Sequence, residues 1–119
     1  MTEPTVDEAE ALNRVGGDRE LLGELATLFL GECPRQLAGI RAALGGKDYR
    51  KLQIAAHTLK GSVATFGARA AEKSALQLEA LGRSEHLAGA EELLAELELA
   101  LDQLRPVLAG WAENGESKP

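Results

Sequence analysis

Aromatic side chains are scarce in this chain of 119 residues: Phe29, Phe66, Tyr49 and Trp111 are all it has. A core must therefore come mainly from Leu and Ala, residues that favour helices. Cys33 is the single cysteine, which excludes an internal disulfide and a cysteine-built zinc finger. Long apolar runs are missing too: an uncharged stretch such as Leu25 to Gly31 is far too short to span a bilayer. Basic residues are outnumbered, 13 Lys and Arg against 19 Asp and Glu, leaving a net charge of -6. That balance argues against nucleic acid as a partner, because its phosphates need a basic face. The opening Met-Thr-Glu-Pro has neither the basic nor the apolar region of a secretory signal. The expectation is a cytoplasmic protein with no membrane partner. No strand-like alternation, internal repeat or low-complexity tract is present.

Glycine, by contrast, is plentiful, at 13 residues. Gly16-Gly17, Gly45-Gly46, Gly67 and Gly82 divide the chain into segments, each reading as one helix end followed by a new start. Val6 to Val15 is short, with Asp7 as N-cap and Glu10 as its capping-box partner. The next segment opens at Asp18. Its stripe is Leu21, Leu25, Leu28, Phe29, Leu37, Ile40 and Leu44, and Pro34 inside it predicts a kink near Leu30 to Pro34. A third segment opens at Asp48 and buries Tyr49, Leu52, Ala56, Leu59, Val63 and Phe66. A fourth follows Gly67, with Ala71, Ala75, Leu78 and Leu81 inward. The fifth runs from about Glu85 to Ala112. Its seam of Leu87, Ala90, Leu94, Leu97, Leu101, Leu104, Leu108 and Trp111 suits a bundle helix, or equally a coiled-coil dimer. Pro106 is placed to bend its last turns. The expected fold is all-α: an up-down four-helix bundle with a short additional N-terminal helix, residues 1–112, followed by a disordered tail, 113–119.

The third segment carries chemistry. With Leu52, Ala56, Leu59, Val63 and Phe66 inward, the opposite face shows Arg50, Gln53, His57, Lys60, Gly61 and Ala64. His57, Lys60 and Gly61, three and four apart, share one exposed patch. An imidazole titrates near ~6.5, so at neutral pH its nitrogen is available to attack a phosphorylated acid and hold the group as a phosphoramidate. An ammonium one turn on offsets the charge of phosphoryl oxygens. Glycine within a helix costs roughly 1 kcal/mol relative to alanine. Its use at Gly61 therefore suggests that something must approach the backbone closely.

The run His57-Thr58-Leu59-Lys60-Gly61-Ser62, followed by Phe66-Gly67-Ala68, resembles the histidine-containing phosphotransfer (HPt) domain family. So does its setting: Gly16-Gly17-Asp18 leading into Leu21-Leu22 and then Leu28-Phe29-Leu30, with Leu78-Glu79 after the motif. The likeness spans about Val6 to Leu108. Thr65-Phe66-Gly67 is also similar to the phosphorylated domain of chemotaxis kinases. The resemblance implies that His57 accepts a phosphoryl group from an aspartyl phosphate on a response-regulator receiver domain and passes it to another. Lys60 would stabilise the group, and Gly61 would leave room for the receiver. A sensor (hybrid) histidine kinase would be a further partner. No cofactor would belong to this chain, since the receiver would supply Mg²⁺. With no glycine-rich ATP loop, the chain would not phosphorylate itself. Some family members place a glutamine on the following helix near the histidine. Gln77 and Glu79 are the candidates here, and the sequence does not choose between them.

Receiver docking would use Arg50, Gln53, Ile54, Ala64 and Arg69. A basic rim of Arg41, Lys47, Arg50, Lys51, Arg69 and Lys73 would steer an acidic partner, although scattered solvated charges read equally well. His86 reads as a surface residue and Cys33 as a small buried filler. Neither histidine has the preceding acid of a di-iron Glu-x-x-His motif. The expected state is a monomer. The competing functions are a non-catalytic helical adaptor with His57 incidental, a homodimeric coiled-coil module and, least favoured, a hydrolase, for which no nucleophile–base–acid set is visible.

Overall fold

The structure is a computed structural model describing residues 4–116. All regular structure among these residues is helical: α1 (Glu8–Arg14), α2 (Arg19–Gly45), α3 (Tyr49–Ala64), α4 (Arg69–Ser84) and α5 (Ala90–Glu116). Three aspartates start helices as the sequence suggests. The carboxylates of Asp7, Asp18 and Asp48 accept the backbone N–H groups of Glu10, Leu21 and Lys51 at 3.0, 3.0 and 3.1 Å. Each such cap contributes about 1 kcal/mol by answering a donor the helix leaves free.

Helices α2 to α5 form a closed ring in which α2 packs on α3, α3 on α4, α4 on α5 and α5 back on α2, while α1 touches α2 only lightly. This is the expected four-helix bundle with a small N-terminal addition. At ~1.5 Å per residue a 27-residue helix is roughly 40 Å long, and α2 and α5 account for most of the 50 Å long axis. The core is aliphatic. Ile40, Leu52, Leu59, Leu78, Leu97, Leu101, Leu104 and Leu108 are fully buried. Three of the few aromatics gather at one end, with the Phe66 ring 5.7 Å from Phe29 and 6.2 Å from Trp111. Gly67 turns the chain beside them in the left-handed region (φ +63°), and a Cβ there would lie 2.8 Å from Asp7. Asp7 N–H donates to the Gly67 carbonyl at 3.0 Å, tying the start of α1 to this corner.

Several boundaries and faces differ from the sequence reading. α2 runs through Pro34 without a break, and α5 through Pro106. A proline removes one backbone donor, and buried neighbours on either side hold the helix together. Leu28 is 64% exposed and Leu21 39%, while Leu22, Ala26 and Cys33 are buried in their place. Both stripes have helical spacing, and the smaller side chains occupy the face that meets the other helices. α5 begins at Ala90 rather than near Glu85, because Glu85 takes a left-handed conformation (φ 58°) that ends α4. At the other end α5 continues through Glu113 to Glu116, where a tail was expected from residue 113. Residues 117–119 lie outside the described region.

Candidate functional site

Leu52, Ala56, Leu59 and Val63 are all fully buried, and this fixes the rotation of α3. His57, one position beyond Ala56, is thereby turned outward, with 65% of its side chain exposed. It lies in a shallow depression lined by Gln53, Ile54, Thr58 and Glu79. Arg50 and Ile54 are exposed on the same face, and Gln53 and Ala64 are half-buried at its margins. Gly61 is exposed too, and a Cβ there would meet nothing within 4 Å. Its lack of a side chain therefore serves no packing within the chain.

The glycine that packing does require is Gly82. A Cβ at that position would lie 2.7 Å from the Gln53 backbone nitrogen and 2.8 Å from the Tyr49 carbonyl. Gly82 thus lets α4 press against α3 one turn from the histidine, and this close crossing brings Glu79 beneath the imidazole. Glu79 is only 4% exposed. Its Oε2 meets His57 Nδ1 at 2.9 Å and accepts from Arg83 at 3.0 Å, while its Oε1 accepts from Lys60 Nζ at 2.8 Å. Burial opposes ionisation of this carboxyl, but the Lys60 hydrogen bond outweighs it, with His57 adding to the effect. The pKa is held below its ordinary value of 4.5.

This arrangement sets the tautomer of His57. An ionised carboxylate only accepts, so Nδ1 carries the proton and donates it to Glu79. The lone pair is left on Nε2, at the opposite edge of an exposed ring. What results is a nucleophilic nitrogen facing outward, with a buried anion behind it and two cations on that anion. Lys60 does not stand free, since its ammonium is engaged by Glu79 and its side chain is only 24% exposed.

Glu79 is the residue that sequence reasoning left unassigned between two candidates. Gln77 is exposed and Glu79 buried. The signal that separates them is positional. Glu79 falls among Ala75, Leu78 and Gly82, on the buried face of α4, where a charged residue has no place unless it is paired. Other expected site residues lie elsewhere. Arg69 begins α4 and reaches back to α1, to Glu10 at 2.8 Å and Asp7 at 3.5 Å. Arg41 is engaged by Glu98 of α5, and Lys51 lies 3.9 Å from Asp48. Only part of the basic rim is thus left to face a partner. His86 is exposed in the α4–α5 connection. Cys33 is sealed in the core, where burial pushes its thiol pKa up.

A family model described as the Hpt domain matches residues 24–106. The chain belongs to the Hpt domain family. No curated protein and no solved structure matches it. The matched span takes in nearly all of α2, the whole of α3 and α4 and most of α5, so α1 is an addition to the Hpt core. Histidine phosphotransfer in two-component signalling, with receiver domains and kinases as partners, is the work of this family. Among the described residues, no helix of this Hpt domain is long and apolar enough to cross a membrane.

Proposed function

We propose that His57 is the phosphoacceptor, and that it takes its phosphoryl group from the aspartyl phosphate of one receiver domain and gives it to another. The observation that carries this reading is the 2.9 Å contact between His57 Nδ1 and buried Glu79, which leaves Nε2 as the free nucleophile. In the transfer Nε2 attacks phosphorus with its lone pair. The bond from phosphorus to the aspartyl oxygen breaks, and its electrons leave with the carboxylate. Positive charge developing on the ring is offset by Glu79, to which Nδ1–H stays hydrogen-bonded. Lys60 and Arg83 keep the local charge from repelling the incoming group. Reversal of the same steps on a second receiver discharges the histidine.

The Mg²⁺ used in such a transfer is the receiver's to hold, because both Glu79 oxygens are already taken by protein donors. Exposed Ile54 and open Gly61 let the receiver come close, with Arg50 and Gln53 on one side and Ala64 on the other. A cytoplasmic location follows from this reading. We also read the chain as a monomer: Leu97, Leu101, Leu104 and Leu108 of the α5 seam are fully buried, leaving little of it to pair with a second copy. A non-catalytic adaptor would have no need of a paired carboxylate beneath an exposed imidazole.

The test is incubation with a phosphorylated receiver. Wild-type chain is expected to take up acid-labile, alkali-stable phosphate, and His57→Gln none. Uptake by His57→Gln at the wild-type rate would refute the proposal.

A further inference from the structure

Between α2 and α3, beside the histidine face, runs a groove of about 200 Å³ lined by Leu25, Leu28, Phe29, Gln36, Ser62 and Thr65. Leu28, 64% exposed, stands at its edge with no packing reason to be leucine. The polar groups of the groove share one character. Gln36 Oε1 is buried and accepts no hydrogen bond. Ser62 and Thr65 donate their hydroxyl protons to the carbonyls of Thr58 and Gly61, at 3.1 and 3.3 Å. Both hydroxyls therefore have only lone pairs left to offer. The carboxylate of Glu32 lies at the same groove. Apolar walls are thus combined with unanswered acceptors, an arrangement that calls for a donor from outside.

The volume narrows the choice of occupant. Small-molecule sites run to about 300–1,000 Å³, and this groove is smaller, of a size for one long side chain. Its position narrows the choice further. The Thr65–Gly61 hydrogen bond joins the groove wall to the open backbone beside His57, so whatever docks on the histidine also covers the groove.

We propose that the groove anchors the docked receiver domain by taking one amphipathic side chain from it, such as a lysine or arginine. The aliphatic stem packs on Leu25, Leu28 and Phe29, and the donor at its tip answers Gln36 Oε1. This inference rests on the phosphorelay reading.

The experiment uses Gln36→Met and Leu28→Ala in the full chain. The probe is whichever of the organism's own isolated receiver domains exchanges phosphate fastest with wild type. Phosphoramidate, a small phosphodonor that needs no docking surface, reads the His57 chemistry separately. Gln36→Met is expected to raise the receiver Kd roughly fivefold, with phosphoramidate uptake unchanged. Its unfolding midpoint should stay level or rise, since an orphan acceptor has been removed. Leu28→Ala should raise Kd about tenfold and leave the unfolding midpoint in place. Wild-type Kd in both variants, with His57→Gln inactive, overturns the groove inference alone. A Gln36→Met chain that is less stable and also slow with phosphoramidate overturns it as well, by showing a structural role. If His57→Gln transfers normally, or no receiver exchanges phosphate with wild type, the phosphorelay reading fails and the inference with it.

Discussion

At the scale of single residues, the site is a division of labour around one buried carboxylate. Glu79 fixes the tautomer of His57 and holds Lys60 and Arg83. Glu79→Gln keeps an acceptor for Nδ1–H but loses the charge. Transfer from a phosphorylated receiver should slow on the order of tenfold, less than the ~10²–10⁴ associated with a group that itself moves the proton. Glu79→Ala should slow it further, and equal rates in the two variants would contradict an electrostatic role. Lys60→Ala should also slow transfer without unfolding the chain, and an unchanged rate would count against its part in the cluster. Glu79 further imposes a pH dependence on stability. Its folded-state pKa lies below the ordinary 4.5, so the folded chain binds fewer protons there than the unfolded one. The stabilisation is complete above that ordinary value and is lost as pH falls through the lowered one. Urea unfolding of Glu79→Gln should therefore decline less steeply than wild type from about pH 5 to about pH 3; parallel curves would contradict the ion pairing. His57, Lys60 and Gly61 were legible in the sequence because helical spacing alone puts them together. Glu79 was not, because its contact with His57 spans 22 positions and depends on how two helices cross.

At the scale of helices, two glycines of the same chain behave in opposite ways. Gly82 lets α4 close on α3, and Gly61 leaves α3 bare. Gly82→Ala places a Cβ against the Gln53 backbone, which cannot yield as a side chain can. It should cost about 1–3 kcal/mol and disturb the His57–Glu79 contact. Gly61→Ala meets open space and should stabilise the free chain by up to about 1 kcal/mol. Gly61→Arg should leave folding intact and weaken receiver binding. Denaturant titration of Gly82→Ala and Gly61→Ala, run side by side, checks the assignment, and a stabilised Gly82→Ala would contradict it. Helix starts were readable because each depends on a local aspartate cap. The face of α2 was not readable. Leucines recur on two stripes of that helix, and only the packing of neighbours decides that Ala26 and Cys33 go in while Leu28 stays out.

At the scale of the whole molecule, the bundle keeps α3 rotationally fixed so that one turn of it can face a partner. The all-α class and the four-helix ring follow from apolar spacing and glycine breaks, both local properties. Whether the α5 seam closes on its own chain or on a second copy is a tertiary matter, and the burial of Leu97 through Leu108 favours the former. Sedimentation at micromolar concentration is expected to show a monomer, and a dimer would return the seam to an intermolecular role. The most direct measurement on the central assignment is ³¹P–¹⁵N correlation on the uniformly ¹⁵N-labelled chain after phosphorylation by a receiver. The expected spectrum couples phosphorus to Nε2 of His57, with Nδ1 still protonated. Coupling to Nδ1 of His57, to His86, or to no imidazole nitrogen at all would contradict the arrangement that Glu79 imposes.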